Sequence, residues 1–432
     1  MTDQTTLFLI SLFLLLACAV FVGELFSRIG QAALVGQILV GVVLGPTVLG
    51  PYIGLPSVST ELSGLQVVAT FFILMMAGIQ VTPAQIRSAG LGPVLLGLGI
   101  FVIPFLLGAA VVHLLFPSFS NLTTLFVSLT ISITALPVLA IMLRDFDLMR
   151  TRLGPYLMNA SVVNELTAVT AFAVLLRIQT GGRNDWLDIG YALGTVLLFL
   201  GTILAVYFLL QFLRRNKLWE RLVDGFHETW RSREAGLAVL IVAALGAALY
   251  SQLLGLTFIV GAFYAGMLVT PESAGRRQHR EISMVFDAIT WGFFIPIFFA
   301  LVGFGTDFRL LGPTIVAVFA FAALVLYAIF SKVFVGTALA RTLGWGGQEA
   351  YATGFLLTSR GAVELAMAVI LLNLHVFSVE VYTIVAGIGL VTTLVSPIGA
   401  RPFVRQIAAE ERREEEARRW ARLDTFPSDP PR

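Results

Sequence analysis

The stretch Leu153-Gly-Pro-Tyr-Leu-Met-Asn-Ala-Ser-Val-Val-Asn164-Glu165-Leu-Thr-Ala168 opens an apolar run that continues to residue 178. An apolar run of about 20 residues crosses a bilayer as a helix. Glu165 falls at the midpoint of this one, as far from water as such a helix allows. A charge at the bilayer centre costs about 2.5–3.5 kcal/mol on insertion scales, so a carboxylate there marks an ion or proton pathway more readily than a packing position.

The run is one of many. Charged residues make up 12% of the 432 positions and hydrophobic ones 57%, and the mean hydropathy is +0.89. Thirteen candidate spans follow one another: 7–27, 31–49, 63–80, 91–116, 121–142, 153–178, 188–213, 235–254, 255–271, 284–305, 313–340, 349–374 and 379–400. The eighth and ninth nearly fuse around Gly255. This is an all-α polytopic membrane protein; short alternating strands of the barrel type are absent. The first run starts near Leu7 without a basic leader or cleavage site and is expected to be retained. The single cysteine, Cys18, excludes an intrachain disulfide. Residues 1–402 are expected to form the membrane domain. Residues 403–432 are expected to form a charged cytoplasmic tail, helical and then disordered.

With the N-terminus outside, 23 Lys and Arg fall in inner loops and tail and three in outer loops. That asymmetry supports an odd number of spans and a cytoplasmic C-terminus in the cell (inner) membrane. Thirteen spans divide as six, one and six, which gives the two sixes opposite orientation, the arrangement of inverted-repeat transporters. The fifth member of each half is interrupted, by Thr134-Ala-Leu-Pro137 and by Thr358-Ser-Arg-Gly361. A break at membrane depth frees backbone groups, which line binding sites in such folds; a simple kink is the other reading.

The other charges at depth are Lys332, Arg360 and Glu364. Beside Glu165, Asn164 adds an amide oxygen, Ser161 lies one turn back on the same face, and Thr134 of span five can face it. Monovalent cations want several oxygen ligands, and a buried carboxylate takes either a proton or a cation. The other reading of Glu165 is a protonated side chain bonded to a neighbouring helix. Lys332 is one of two lysines in the chain. It reads as a titratable or salt-bridging group, or as a lysine snorkelling to the inner face. Arg360 and Glu364 stand four apart and are expected to form a self-neutralising pair on one helical face. No Walker motif, nucleophile elbow or zinc spacing is present, so neither an enzyme nor an ATP-driven pump is expected, and no cofactor, nucleotide or nucleic acid. No cluster of the four histidines suggests a metal site.

Five segments carry a family resemblance: Val35-Gly-Gln-Ile-Leu-Val-Gly-Val-Val-Leu-Gly-Pro46; Thr134 to Ala140 with Leu153-Gly154 and Asn164-Glu165; Gly261-Ala-Phe-Tyr-Ala-Gly266; Pro296-Ile-Phe-Phe-Ala-Leu-Val-Gly303; and Thr358-Ser-Arg-Gly-Ala-Val-Glu-Leu365. In this order, with Ser331-Lys332, the chain resembles the monovalent cation:proton antiporter-2 family (Kef-type and plant cation/proton exchangers) over roughly residues 10–400. The resemblance implies two inverted six-helix repeats with crossed broken helices, a dimer domain and a mobile core domain, elevator-type movement and a homodimer. It makes Glu165 the shared ion and proton site with Asn164 as its partner, and Lys332 the supporting lysine. The family usually has aspartate at the place of Glu165, which bears on ion size. No soluble regulatory or nucleotide-binding domain is expected after the membrane part.

The expected function is secondary antiport of Na⁺ or K⁺ against H⁺, with one proton per ion on the strength of one carboxylate, or two where Lys332 supplies its own proton as the second. The alternatives are a proton-coupled carrier of an organic or anionic solute, with Arg360 holding a carboxylate, and a channel-like or sensor protein without exchange.

Overall fold

The computed structural model describes residues 4–53, 60–81, 90–181, 186–215, 235–269, 276–311 and 315–423, and the regular structure among them is all helical. The expected Pro-rich end from Phe426 to Arg432 lies outside the described residues. In chain order the passes are α1 (Gln4–Arg28), α2 (Ala33–Leu44), α3 (Thr60–Gln80), α4 (Leu91–Leu115), α5a (Asn121–Ser132) with α5b (Leu136–Asp145), α6 (Leu153–Gly181) and α7 (Trp186–Arg215). They continue as α8 (Ala235–Leu253), α9 (Phe258–Met267), α10a (Arg276–Ile289) with α10b (Ile295–Phe304), α11 (Ile315–Thr342), α12a (Gly347–Leu356) with α12b (Ala362–Asn373), and α13 (Val379–Leu423). Among the described residues nine passes are long and apolar enough to cross a bilayer; α2, α8, α9 and α12b are shorter apolar helices. The thirteen expected spans fall one on each pass, and the protein is a multi-pass membrane protein. Phe13, Phe21, Phe319 and Phe334 stand exposed on the outside of the bundle, a surface suited to lipid. The near fusion of spans eight and nine resolves into a turn at Gly255, whose φ of +76° suits a residue without a side chain.

Both interrupted passes break as their sequences imply. Ser120 caps α5a by accepting from the Thr123 amide at 3.1 Å. After Ser132 the chain runs extended through Ile133 and Ala135. Pro137, in the first turn of α5b, lacks an amide and cannot continue the preceding helix, though it starts a new one well. The second break, 357–361, ends at Gly361, where a Cβ would meet the Ala135 side chain at 2.8 Å. The two breaks therefore cross in contact, and the Ala135 amide donates to the Ser359 carbonyl at 3.1 Å.

The packing repeats across the halves. Helix α1 packs on α2 as α8 packs on α9; α2 crosses α10b as α9 crosses α3; α4 packs on α5a as α11 packs on α12a. Each equivalent lies seven passes further along the chain, an odd number, so the halves run in opposite directions. Small residues set the crossings. Gly41 faces Gly303 and the Ala300 carbonyl, and Gly78 faces Gly266 and the Phe263 carbonyl, the close backbone approach typical of membrane helix packing. The sequence repeats here too: Val-Gly-x4-Gly-x4-Pro occurs at 35–46 and again at 260–271.

Two helix groups result. One contains α1, α2, α3, α8, α9 and α10; the other contains α4, α5, α6, α11, α12 and α13, with α7 against α6. Between the groups the contacts are few, chiefly α3 and α10b on α12b, α2 on α13, and α6 on α9. Replacing Gly303 by Leu forces a side chain into the α2 backbone, whereas Gly64 faces open space. Overpacking costs about 1–3 kcal/mol. Gly303→Leu is expected to lower the thermal midpoint of the purified protein by several degrees, with Gly64→Ala unchanged.

Candidate functional site

The chain end of α5a organises the centre of the second group. The last carbonyls of a helix have no partner within it, and its negative dipole end attracts cations. Two buried cations meet this need. Arg360, in the second break, donates from Nη1 to the Thr130 carbonyl and from Nη2 to the Ile131 carbonyl. Lys332, from the middle of α11, donates from Nζ to the Ser132 carbonyl at 2.5 Å and to Thr134 Oγ1 at 2.8 Å. Lys332 is fully buried, so it is anchored at the break and does not snorkel.

Asn164 of α6 clamps the same segment from the other side. Its Oδ1 accepts from the Thr134 amide at 2.8 Å, and its Nδ2 donates to the Ser132 carbonyl at 3.2 Å. Thr134 Oγ1 in turn donates to the Leu357 carbonyl at 2.8 Å. One residue of the first break thus joins α6, α11 and the second break. Thr134 faces Asn164 and Lys332 through these bonds.

Glu165 stands beside this network without a place in it. It is 0% exposed, and neither carboxylate oxygen has a hydrogen-bond partner. The Ser161 hydroxyl, one turn back on α6, is also buried and unpartnered. Glu364 shares the condition: 1% exposed, both oxygens unpartnered.

The expected pairing of Arg360 with Glu364 does not occur; among the described residues no ion pair joins them. Four-residue spacing places side chains on one face only within a helix. Arg360 lies before α12b, whose cap is Gly361, and its guanidinium turns to α5a instead. No sequence signal named those carbonyls as its target.

A cavity of about 300 Å³ opens between the two groups. It is lined by the 30–32 turn, by α5b from Asp145 to Val138, and by Arg401 and Arg405 of α13. Val138 is three residues past the first break, so the cavity approaches the crossing along α5b. At its rim Arg401 Nη2 donates to the Gly30 carbonyl at 2.8 Å, a strap from one group to the other.

The family pattern for sodium/hydrogen exchanger, transmembrane, matches residues 12–406. The chain belongs to that family. It is 26% identical over 414 residues to the Na⁺/H⁺ antiporter NhaS4 of Synechocystis, covering 91% of this chain and 96% of that protein. It is 27% identical over 356 residues to the K⁺/H⁺ antiporter 1 of Saccharomyces cerevisiae, covering 78% of this chain but 39% of the yeast protein. The fold is similar to that of the sodium proton antiporter MjNhaP1 of Methanocaldococcus jannaschii, with a TM-score of 0.69 at 14% identity over 92% of this chain and 97% of that one. The family model and the relatives agree with the resemblance carried by the five segments.

Asn164→Ala strands the Thr134 amide and takes from the Ser132 carbonyl one of its two donors, Lys332 being the other. Each buried group left unpaired costs about 1–3 kcal/mol. The variant is expected to unfold several degrees lower in a thermal scan, more than Thr167→Ala on the same helix, whose hydroxyl only bonds back to the Val163 carbonyl.

Proposed function

We propose that this chain is a secondary antiporter exchanging Na⁺ or K⁺ for H⁺, with Glu165 as the residue that trades the two. One observation carries the reading: a fully buried carboxylate without a donor, on a helix clamped to the crossing of two breaks. Such a group must hold a proton or a cation, because a bare buried charge is costly. Hard cations take oxygen ligands; Ser161 Oγ is free to join Glu165, and the bond between Asn164 and the Thr134 amide ties the helix of Glu165 to the first break. Lys332 and Arg360 hold the break together and keep positive charge beside the site.

Glu165 opened to the inner side exchanges a proton for a cation; opened to the outer side it does the reverse. The group carrying Glu165 would move as a body against α1, α2, α3, α8, α9 and α10, an elevator-type step. The few contacts between the groups and the cavity at the inner ends support it. The scaffold group would pair two copies as a homodimer. Residues 1–402 form the transport unit in the inner membrane, with residues 403–432 as a cytoplasmic tail. The organic-anion alternative loses weight, because two nitrogens of Arg360 already serve α5a.

In everted vesicles read with a pH dye, Na⁺ or K⁺ is expected to evoke proton movement that Glu165→Gln abolishes. Survival of that response in the variant overturns the mechanism. Because proton and cation compete for one carboxylate, the apparent KM for the cation should rise as pH falls. A KM flat across pH contradicts the shared site.

A further inference from the structure

The exchange reading uses one carboxylate, and the structure holds a second in the same condition. Glu364 sits in the first turn of α12b, beyond the second break, with both oxygens buried and unpartnered. Its natural counter-ions are engaged elsewhere. Arg360 serves the Thr130 and Ile131 carbonyls, and Lys332 serves Ser132 and Thr134. Room for the carboxylate comes from Gly389 of α13, where a Cβ would stand 3.2 Å from Glu364 Oε1. The charged side chains that act on Glu364 are Arg360 and Lys332, and Glu364 in turn acts on Glu165.

From this placement we infer that Glu364 is a second proton-binding carboxylate of the ion site, so that one monovalent cation is exchanged for two protons. The inference rests on Glu165 being the exchange site. Charge balance distinguishes the two cases. With both carboxylates protonated and Arg360 and Lys332 charged, the buried cluster carries two positive charges. When one cation enters and both protons leave, it carries one. A full cycle then moves net charge and responds to membrane potential. If Glu364 keeps one protonation state throughout, one proton leaves per cation and the cycle is electroneutral. A carboxylate that merely caps α12b also keeps one state, and a glutamine replaces it without altering the count.

The test counts protons released per cation bound by the purified full-length chain in weak buffer. A pH dye follows the protons and radiolabelled Na⁺ or K⁺ the cation, with choline as the control. The wild type is expected to release two protons per cation at its maximum across a pH series, and Glu364→Gln one. Glu364→Asp, which keeps a titratable group, should retain two. A wild-type count of one overturns the inference, as does an unchanged count of two in Glu364→Gln. If Glu364→Gln does not fold, Glu364→Ser, which also lacks a titratable group, takes its place with the same expected count of one, and a count of two there overturns the inference. Absence of any Na⁺- or K⁺-evoked release from the wild type instead overturns the exchange reading itself.

Discussion

The arrangement depends on how two buried cations are used. Arg360 and Lys332 satisfy the open carbonyl end of α5a and the hydroxyl of Thr134. Unpaired backbone groups at membrane depth are costly, so a broken helix needs such partners. Because the cations answer the backbone, the two acids are left without donors. The break is thereby made stable, and the carboxylates are left available for a proton or a cation. Exchange of one buried cation for a neutral side chain would disturb both conditions together.

Dense and sparse packing are divided between the interiors of the groups and their boundary. Within each group, glycines let backbones touch, as at Gly41 with Gly303 and at Gly336 with Gly354. Contacts of that kind hold one geometry and resist any side chain placed between them. Between the groups the contact is thin, and the strap from Arg401 to Gly30 is a single hydrogen bond. A thin boundary of that kind is what the proposed movement of one group against the other would require. Asn164, on the helix of Glu165, ties the acid to the crossing, so whatever moves the crossing moves the acid with it.

Much of this was legible in the chain. Apolar runs of bilayer length gave thirteen passes because hydrocarbon thickness imposes that length. Pro137 and the glycine at 361 marked the breaks. The repeat of Val-Gly-x4-Gly-x4-Pro at 35–46 and 260–271 was also present, though hidden among many glycines in apolar surroundings. Charges at depth pointed to Glu165 because a carboxylate needs a reason to be there. The spacing of Arg360 and Glu364 misled, since a four-residue interval means proximity only if the helix is continuous.

By itself the sequence determined that the protein is a helical multi-pass membrane protein, where two helices break and which acids lie at depth. These follow from local transfer energies and backbone chemistry. Only the tertiary structure decided which polar group answers which. Thr134 meets Leu357 across 223 positions, and Lys332 meets Ser132 across 200. Pairings over such separations depend on the crossing of two distant breaks, and no local periodicity encodes it.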